Sequence, residues 1–295
     1  MPPILSELSE ISARYDVIYC DLWGCLHDGR AAFPDAVSAL RTFIGAGGTV
    51  ILVTNSPRPR SAVRGQLAQL SVPEDCYHDI ASSGDAAQAA LAAGQFGRKV
   101  HHIGPERDLV FFRSEDGAWV DVERVALEQA ESVVCTGLFN DLTEVPEDYR
   151  LTLMRAKSMG LDLLCANPDV IVDVGPTRIY CAGALAAFYT ELGGKSFYFG
   201  KPHAPIYVLA QQRAEQVRGA SVRPENILCI GDGINTDIKG GVAEGLDSLF
   251  ITGGLAAEET GTPPGEPTGQ PQPDALAAFL QSAKLTPVAA IGRLR

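Results

Sequence analysis

The sequence has no C-x-x-C pair, no long apolar run and no excess of basic residues. Each absence excludes something. Seven cysteines in an odd, scattered set cannot form a closed disulfide framework, and they lack the spacing of a zinc ribbon. Such usage suits a reducing compartment with buried thiols, so a cytoplasmic protein is expected. No stretch approaches the ~20 continuous apolar residues that span a bilayer. The start, Met1-Pro-Pro-Ile-Leu-Ser-Glu, lacks a basic region followed by an apolar one, so no secretion signal is expected. The formal net charge of -12 argues against nucleic-acid backbones and anionic membranes as partners. A small phosphate ester remains open, because one Lys, a cation and a few backbone N–H groups set the local potential.

What is present is a chain of 295 residues, 46% of them hydrophobic. That is enough for a real core and fits two domains, or one core with a large insertion. Val17 to Cys20 reads as a buried strand running straight into Asp21. Residues 3–14 read as a short amphipathic helix ahead of it. Pro34 opens a helix that Gly45 to Gly48 ends. Thr49 to Thr54 is a second buried strand, followed by Asn55-Ser56 and a helix from about Arg60 to Leu70. Strand–helix–strand–helix is the pattern of a parallel sheet. From about Ser83 a separate α/β set begins, with strands at Lys99, Val133 and Asp162. The chain is expected to return to the first core with the strand Ser196 to Gly200. Strands at Asn226 to Asp232 and at 248–251 follow. The expected division is therefore residues 1–82 plus 191–295 as the core and 83–190 as an inserted α/β domain.

Polar residues follow four of these strands. Asp21 ends the first, and Gly24 and Gly29 loosen the loop beyond it. Thr54, Asn55 and Ser56 end the second, where a hydroxyl and helix-start N–H groups can hold a phosphate oxygen, or simply cap the helix. Lys201, between Gly200 and Pro202, ends the third and can neutralise a phosphoryl group. Gly231-Asp232 with Asp237 ends the fourth, and paired carboxylates in a Gly-rich turn suit a hard cation, Mg²⁺ before Zn²⁺. All four are expected on the carboxyl edge of one sheet, where open α/β sheets place their ligands. Cys20 and Cys25, on either side of Asp21, read as core filler.

Taken in order, Asp21, Thr54-Asn55, Lys201 and Gly231-Asp232…Asp237 resemble the four motifs of the haloacid dehalogenase superfamily of aspartate-nucleophile hydrolases. The insertion resembles the class IIA, NagD-like cap. Ser82-Ser-Gly-Asp85, Asn167-Pro-Asp169 and Gly200-Lys-Pro202 support the match, which spans roughly residues 15–255. The resemblance implies a Rossmann-like parallel core with an inserted cap. It implies a Mg²⁺-dependent phosphatase acting on a small phosphorylated metabolite. Asp21 would be the nucleophile, and Lys201, Thr54 and Asn55 would attend the phosphoryl group. Ser56, Gly24 and His27 would border the substrate. Asp21, the main-chain carbonyl of Trp23 and Asp232 would hold the metal, with Asp237 behind them. Two copies could pair through such a cap.

One position departs from the pattern. Phosphatases of this superfamily carry a second Asp, the general acid and base, two residues after the nucleophile. Here that residue is Trp23, which cannot exchange the proton. Three readings follow: substrates whose leaving group needs little protonation, a proton supplied by His27 or Asp28, or a chain that binds phosphate ligands without turnover. A dehalogenase, with an aromatic residue there and no Mg²⁺, ranks below these because the 232–237 turn is of the metal-binding kind. In the cap, His101, His102, Arg107 and Asp169 are within the range of substrate-contacting types. None is assigned to the site.

Overall fold

The computed structural model of the chain describes residues 1–114, 117–174 and 177–295. In chain order the strands are β1 (Val17–Cys20), β2 (Thr49–Thr54), β3 (Asp79–Ser82), β4 (Lys99–Ile103), β5 (Glu123–Arg124), β6 (Ser132–Cys135), β7 (Asp162–Cys165), β8 (Ile171–Val174), β9 (Thr177–Tyr180), β10 (Lys195–Tyr198), β11 (Ile227–Gly231), β12 (Asp247–Ile251) and β13 (Ala289–Ile291). The chain divides into two compact units, residues 1–54, 64–81 and 207–295, and residues 55–63 and 82–206. Both are α/β with parallel sheets.

The first unit is built on a six-stranded sheet in the order β13-β12-β11-β1-β2-β3. Every residue of β1, β2 and β11 is buried. Uncharged, continuously apolar strands belong in the middle of a sheet covered on both faces. β1 pairs in parallel with β11 and with β2, Cys20 lying opposite Ile230 and Leu52. Parallel neighbours end on one edge, so Asp21, Thr54 and Asp232 emerge together at the carboxyl rim. The register is fixed past the strand end by the Asp21 N–H, which donates to the Ile230 carbonyl at 2.8 Å.

Residues 3–14 do not form one helix. Only Ser9–Ser12 is helical, while Leu5 N–H donates to Ala290 O at 2.8 Å and Ala290 N–H to Pro3 O at 2.9 Å. Pro2-Pro3 disfavours helix and supplies an extended arm whose carbonyl still accepts, and Ile4 packs beside Phe250 and Ala290.

The second unit carries a five-stranded parallel sheet in the order β10-β7-β6-β4-β5, and a two-stranded antiparallel pair, β8-β9. Its core gathers Val133, Cys135, Leu163, Cys165, Leu185 and Tyr189, all fully buried. β10 corrects an expectation. The strand expected to re-enter the first core pairs with β7 instead, Phe197 opposite Leu164. It is an edge strand with one exposed and three half-buried residues, which is what a single covered flank produces. Lys201 therefore follows a strand of the second sheet, and the four polar strand ends do not share one sheet.

Among the described residues, no helix is long and apolar enough to cross a membrane.

Candidate active site

The first unit assembles its polar residues around Asp21 and Asp232, which are 8% and 4% exposed. Burial of two carboxylates is costly unless something compensates the charge, so their retention at a sheet rim is a functional signal. Among the described residues, one group has the composition and geometry to hold a metal ion. It comprises Asp21, Cys25 and Asp232, whose ligand atoms all lie within 4.8 Å of one another. Asp232 is held by its Oδ2, which accepts the Leu255 N–H at 3.0 Å. Two glycines make room for that carboxylate. A Cβ on Gly24 would come 2.2 Å from Asp232 Oδ2, and one on Gly254 would come 1.9 Å from it. Gly24 also has a φ of +76°, so the loop turns there at little steric cost.

Asp237 is buried but lies outside that group. Its Oδ2 accepts the Gly233 N–H at 3.0 Å and the Thr236 hydroxyl at 3.3 Å. It ties down the turn Ile234–Ile238 that follows β11. Thr54, 9% exposed, closes β2 on the same rim.

The loop after Asp21 is tight. Gly24 N–H donates to His27 O at 2.9 Å, and His27 N–H to Leu22 O at 3.1 Å. The Trp23 ring lies over Gly29, where a Cβ would come 2.2 Å from its Cη2, and meets the His27 ring edge-on at 5.5 Å. His27 is 2% exposed, and its Nδ1 accepts the Gly29 N–H at 3.1 Å. Burial lowers its pKa to about 4, with the Asp28 charge opposing. A neutral imidazole so enclosed supports the loop. It neither borders a substrate nor serves as an acid near neutral pH, contrary to both expectations for it. Asp28 is no better placed to give a proton. Its carboxylate accepts the Ala31 and Arg30 N–H groups at 2.9 and 2.8 Å, and these hold its pKa below the usual value.

In the second unit, Asn55 organises Lys201. The Asn55 Oδ1 accepts the Lys201 N–H at 2.7 Å, while its Nδ2 donates to Lys201 O at 3.0 Å and to Asp169 Oδ1 at 2.8 Å. With every bond spoken for, Asn55 positions its neighbours. Asp169, a residue of Asn167-Pro-Asp169, thus belongs to this polar group, and Asn167 Oδ1 in turn holds the Asp169 N–H at 3.0 Å. Gly200 permits the approach, since a Cβ there would sit 2.3 Å from Asn55 Oδ1. Ser56 behaves as a helix-start residue, its Oγ accepting the Arg58 N–H at 3.3 Å and its carbonyl the Gly84 N–H at 3.0 Å. His101, His102 and Arg107 are engaged elsewhere, with Val125 O, Thr136 Oγ1 and Asp141 respectively.

Cys25 is the residue that reading by strand pattern passed over. It sits four residues past Asp21, and only the folded loop turns its thiol to the carboxylates.

These features agree with the comparisons. Residues 18–116 match the family of haloacid dehalogenase-like hydrolases, and residues 198–287 match a related HAD-hydrolase-like family. A crystal structure of a haloacid dehalogenase-like hydrolase from Brucella suis 1330 is 42% identical, with a TM-score of 0.84, covering 99% of this chain and 100% of that one. The ribonucleotide monophosphatase NagD of Escherichia coli is 26% identical over 250 residues, 81% of this chain and 88% of that protein. The 5'-nucleotidase YutF of Bacillus subtilis is 24% identical over 247 residues, again 81% and 88%. With its buried aspartates at the ends of adjacent parallel strands, the chain belongs to the haloacid dehalogenase-like hydrolases, in their NagD-like phosphatase branch.

Proposed function

We propose that the chain is a Mg²⁺-dependent phosphomonoester hydrolase that acts on a small phosphorylated metabolite through an aspartyl-phosphate on Asp21. The observation that carries this reading is the buried pair Asp21 and Asp232, with ligand oxygens within 4.8 Å at one rim of the sheet. In this reading Asp21, the Trp23 carbonyl and Asp232 hold the cation, an oxygen set suited to Mg²⁺. When bound, the cation draws charge from the phosphoryl oxygens and orients them.

The chain's own residues supply the rest. An oxygen of Asp21 attacks phosphorus, and the ester oxygen departs with the bonding pair. Thr54 and Lys201 are assigned by resemblance to the equatorial oxygens, where negative charge spreads in the transition state. Asn55 fixes the main chain of Lys201, and Asp237 fixes the turn that carries Asp232. Water then attacks the acyl phosphate, releasing inorganic phosphate and free Asp21. The second unit serves as the cap.

With His27 neutral and Asp28 ionised, neither provides the proton that an alkoxide leaving group needs. The reading therefore favours aryl, acyl or anhydride phosphates, which leave as stable anions.

A panel of phosphate esters, assayed with Mg²⁺ and with chelator, tests the proposal. Turnover that needs Mg²⁺ and disappears in Asp21→Asn supports it. Tight phosphate binding without turnover of any ester would replace it with a binding protein. Turnover of a haloacid in chelator would replace it with a dehalogenase.

A further inference from the structure

Two observations converge on Cys25. Its Sγ lies within 4.8 Å of carboxylate oxygens of both Asp21 and Asp232. It is also 1% exposed and makes no hydrogen bond among the described residues. Other thiols do find acceptors: Cys20 donates to Asp21 O at 3.1 Å, Cys76 to Pro73 O at 3.0 Å and Cys165 to Asn167 O at 3.2 Å. A buried sulfur without an acceptor, set against two carboxylates, is badly used as filler. Apolar packing alone would be served by Val or Ala, and the neighbouring charges would be indifferent to it.

We propose that Cys25 makes the Asp21–Asp232 pair a mixed oxygen–sulfur site, which takes a thiophilic divalent cation, Zn²⁺ or Cd²⁺, with the Cys25 thiolate as a ligand. The inference rests on the reading that these two aspartates hold a divalent cation. Three protein ligands with a further position open are a common arrangement for zinc in catalytic sites. Mg²⁺ prefers oxygen and leaves the sulfur unused, whereas softer ions gain from thiolate. The two kinds of cation therefore compete for the same carboxylates while differing in what they ask of residue 25. Uptake forms a sulfur–metal bond, breaks the S–H bond and passes the proton to the buffer. Cys25 thus makes the pocket a point at which thiophilic metals displace the hard one.

The test is titration of the metal-free protein with Cd²⁺, followed by the ultraviolet sulfur-to-cadmium charge-transfer absorption, with Mg²⁺ binding measured in parallel by calorimetry. Wild type and Cys20→Ser should show the absorption at one equivalent of Cd²⁺. Cys25→Ser should lose it, and bind Cd²⁺ at least about 10-fold more weakly, the scale on which altering a metal's surroundings changes affinity. Its Mg²⁺ affinity should stay close to that of wild type. An unchanged absorption and affinity in Cys25→Ser overturn the inference. X-ray absorption of the Zn²⁺-loaded wild type needs no variant: one sulfur at about 2.3 Å is expected, and an all-oxygen and nitrogen shell overturns it. Normal Mg²⁺ binding without a sulfur signal removes this inference alone. Absence of both Mg²⁺ and Cd²⁺ binding removes the reading of the site together with it.

Discussion

The side-chain amide of Asn55 pairs with the main chain of Lys201 at both ends, Oδ1 accepting the N–H at 2.7 Å and Nδ2 donating to the carbonyl at 3.0 Å. This is the two-bond pattern of a strand pair, made by a side chain where no strand continues. The remaining Nδ2 hydrogen goes to Asp169 Oδ1 at 2.8 Å. Lys201 is 4% exposed, so its backbone has little access to water as a substitute partner.

Removing the fork should therefore hurt twice. Asn55→Ala leaves a buried N–H and C=O unpaired, a cost of about 1–3 kcal/mol each. Asn55→Asp keeps the acceptor but replaces the donor by a carboxylate facing Asp169 and the Lys201 carbonyl. The expected order of melting temperature is wild type, then Asn55→Ala, then Asn55→Asp. On the proposed mechanism, kcat on p-nitrophenyl phosphate should fall up to about 100-fold, the scale of a displaced catalytic group. Equal stability of Asn55→Asp and wild type, by calorimetry, would show that the amide is not needed as a donor.

Gly24 gives a sharper test of the metal pocket. Ala there meets Asp232 Oδ2 and must also hold a φ of +76°. The matched control is Gly94→Ala, at a φ of +75° with nothing within 4 Å of the new Cβ. Backbone strain of about 1 kcal/mol is common to both. Only Gly24→Ala pushes on the carboxylate, so only it should weaken Mg²⁺ binding, by about 10-fold or more. Calorimetric titration of the two variants reads the difference directly.

Much of this arrangement can be read from the amino acids, for definite reasons. β1, β2 and β11 are short apolar runs bounded by polar turn residues, so their existence and the polar residues at their ends are visible in one dimension. Asp21, Thr54 and Asp232 follow from that. Strand allegiance does not. β10 carries Ser196, Phe197 and Tyr198, a composition that fits either sheet, and its pairing with β7 is decided by the whole unit. β3 escaped because Asp79-Ile-Ala-Ser82 is four residues with acid at one end, and the helix Ala182–Glu191 because its Ala-rich run has no clear polar face. His27 reads as an exposed turn residue, yet Trp23 and the strained Gly29 close over it. Sequence shows which residues are present in a loop, and packing decides which of them face the chemistry.

His102 in the second unit predicts an acid response. Burial lowers its pKa to about 4, with Arg124 and His101 adding repulsion, while Nε2 is 2.9 Å from Thr136 Oγ1. The folded pKa lies below the unfolded value of about 6.5. Between these values the unfolded chain binds the extra proton, so stability from neutral His102 is complete above about pH 6.5 and is lost as pH falls through 4. The loss is at most about 3 kcal/mol. His102→Gln keeps a polar partner for Thr136 without titrating. Its melting temperature should therefore fall less than that of wild type between pH 7 and pH 4.5. Parallel curves would mean that His102 keeps an ordinary pKa in the folded protein.

Trp23 is the residue on which substrate choice should turn. It stands two positions after Asp21, where the resemblance places a general acid, and its ring instead covers Gly29 and His27. A p-nitrophenolate leaves without help, whereas an alkoxide does not. Wild type should therefore prefer p-nitrophenyl phosphate to glycerol phosphate strongly. Trp23→Asp restores a proton donor, and the alkyl-to-aryl ratio of kcat/KM should rise by about 10²–10⁴, the usual worth of a positioned acid. Trp23→Asn removes the same ring without adding an acid, and separates proton donation from loosening of the loop. Both variants should lose stability, because the ring's contacts with Gly29 and His27 go with it. A ratio that rises equally in both would assign the effect to the vacated space. A ratio unmoved in both would show that residue 23 does not approach the ester oxygen. A rise confined to Trp23→Asp would mean that one indole sets which phosphates this hydrolase can cleave.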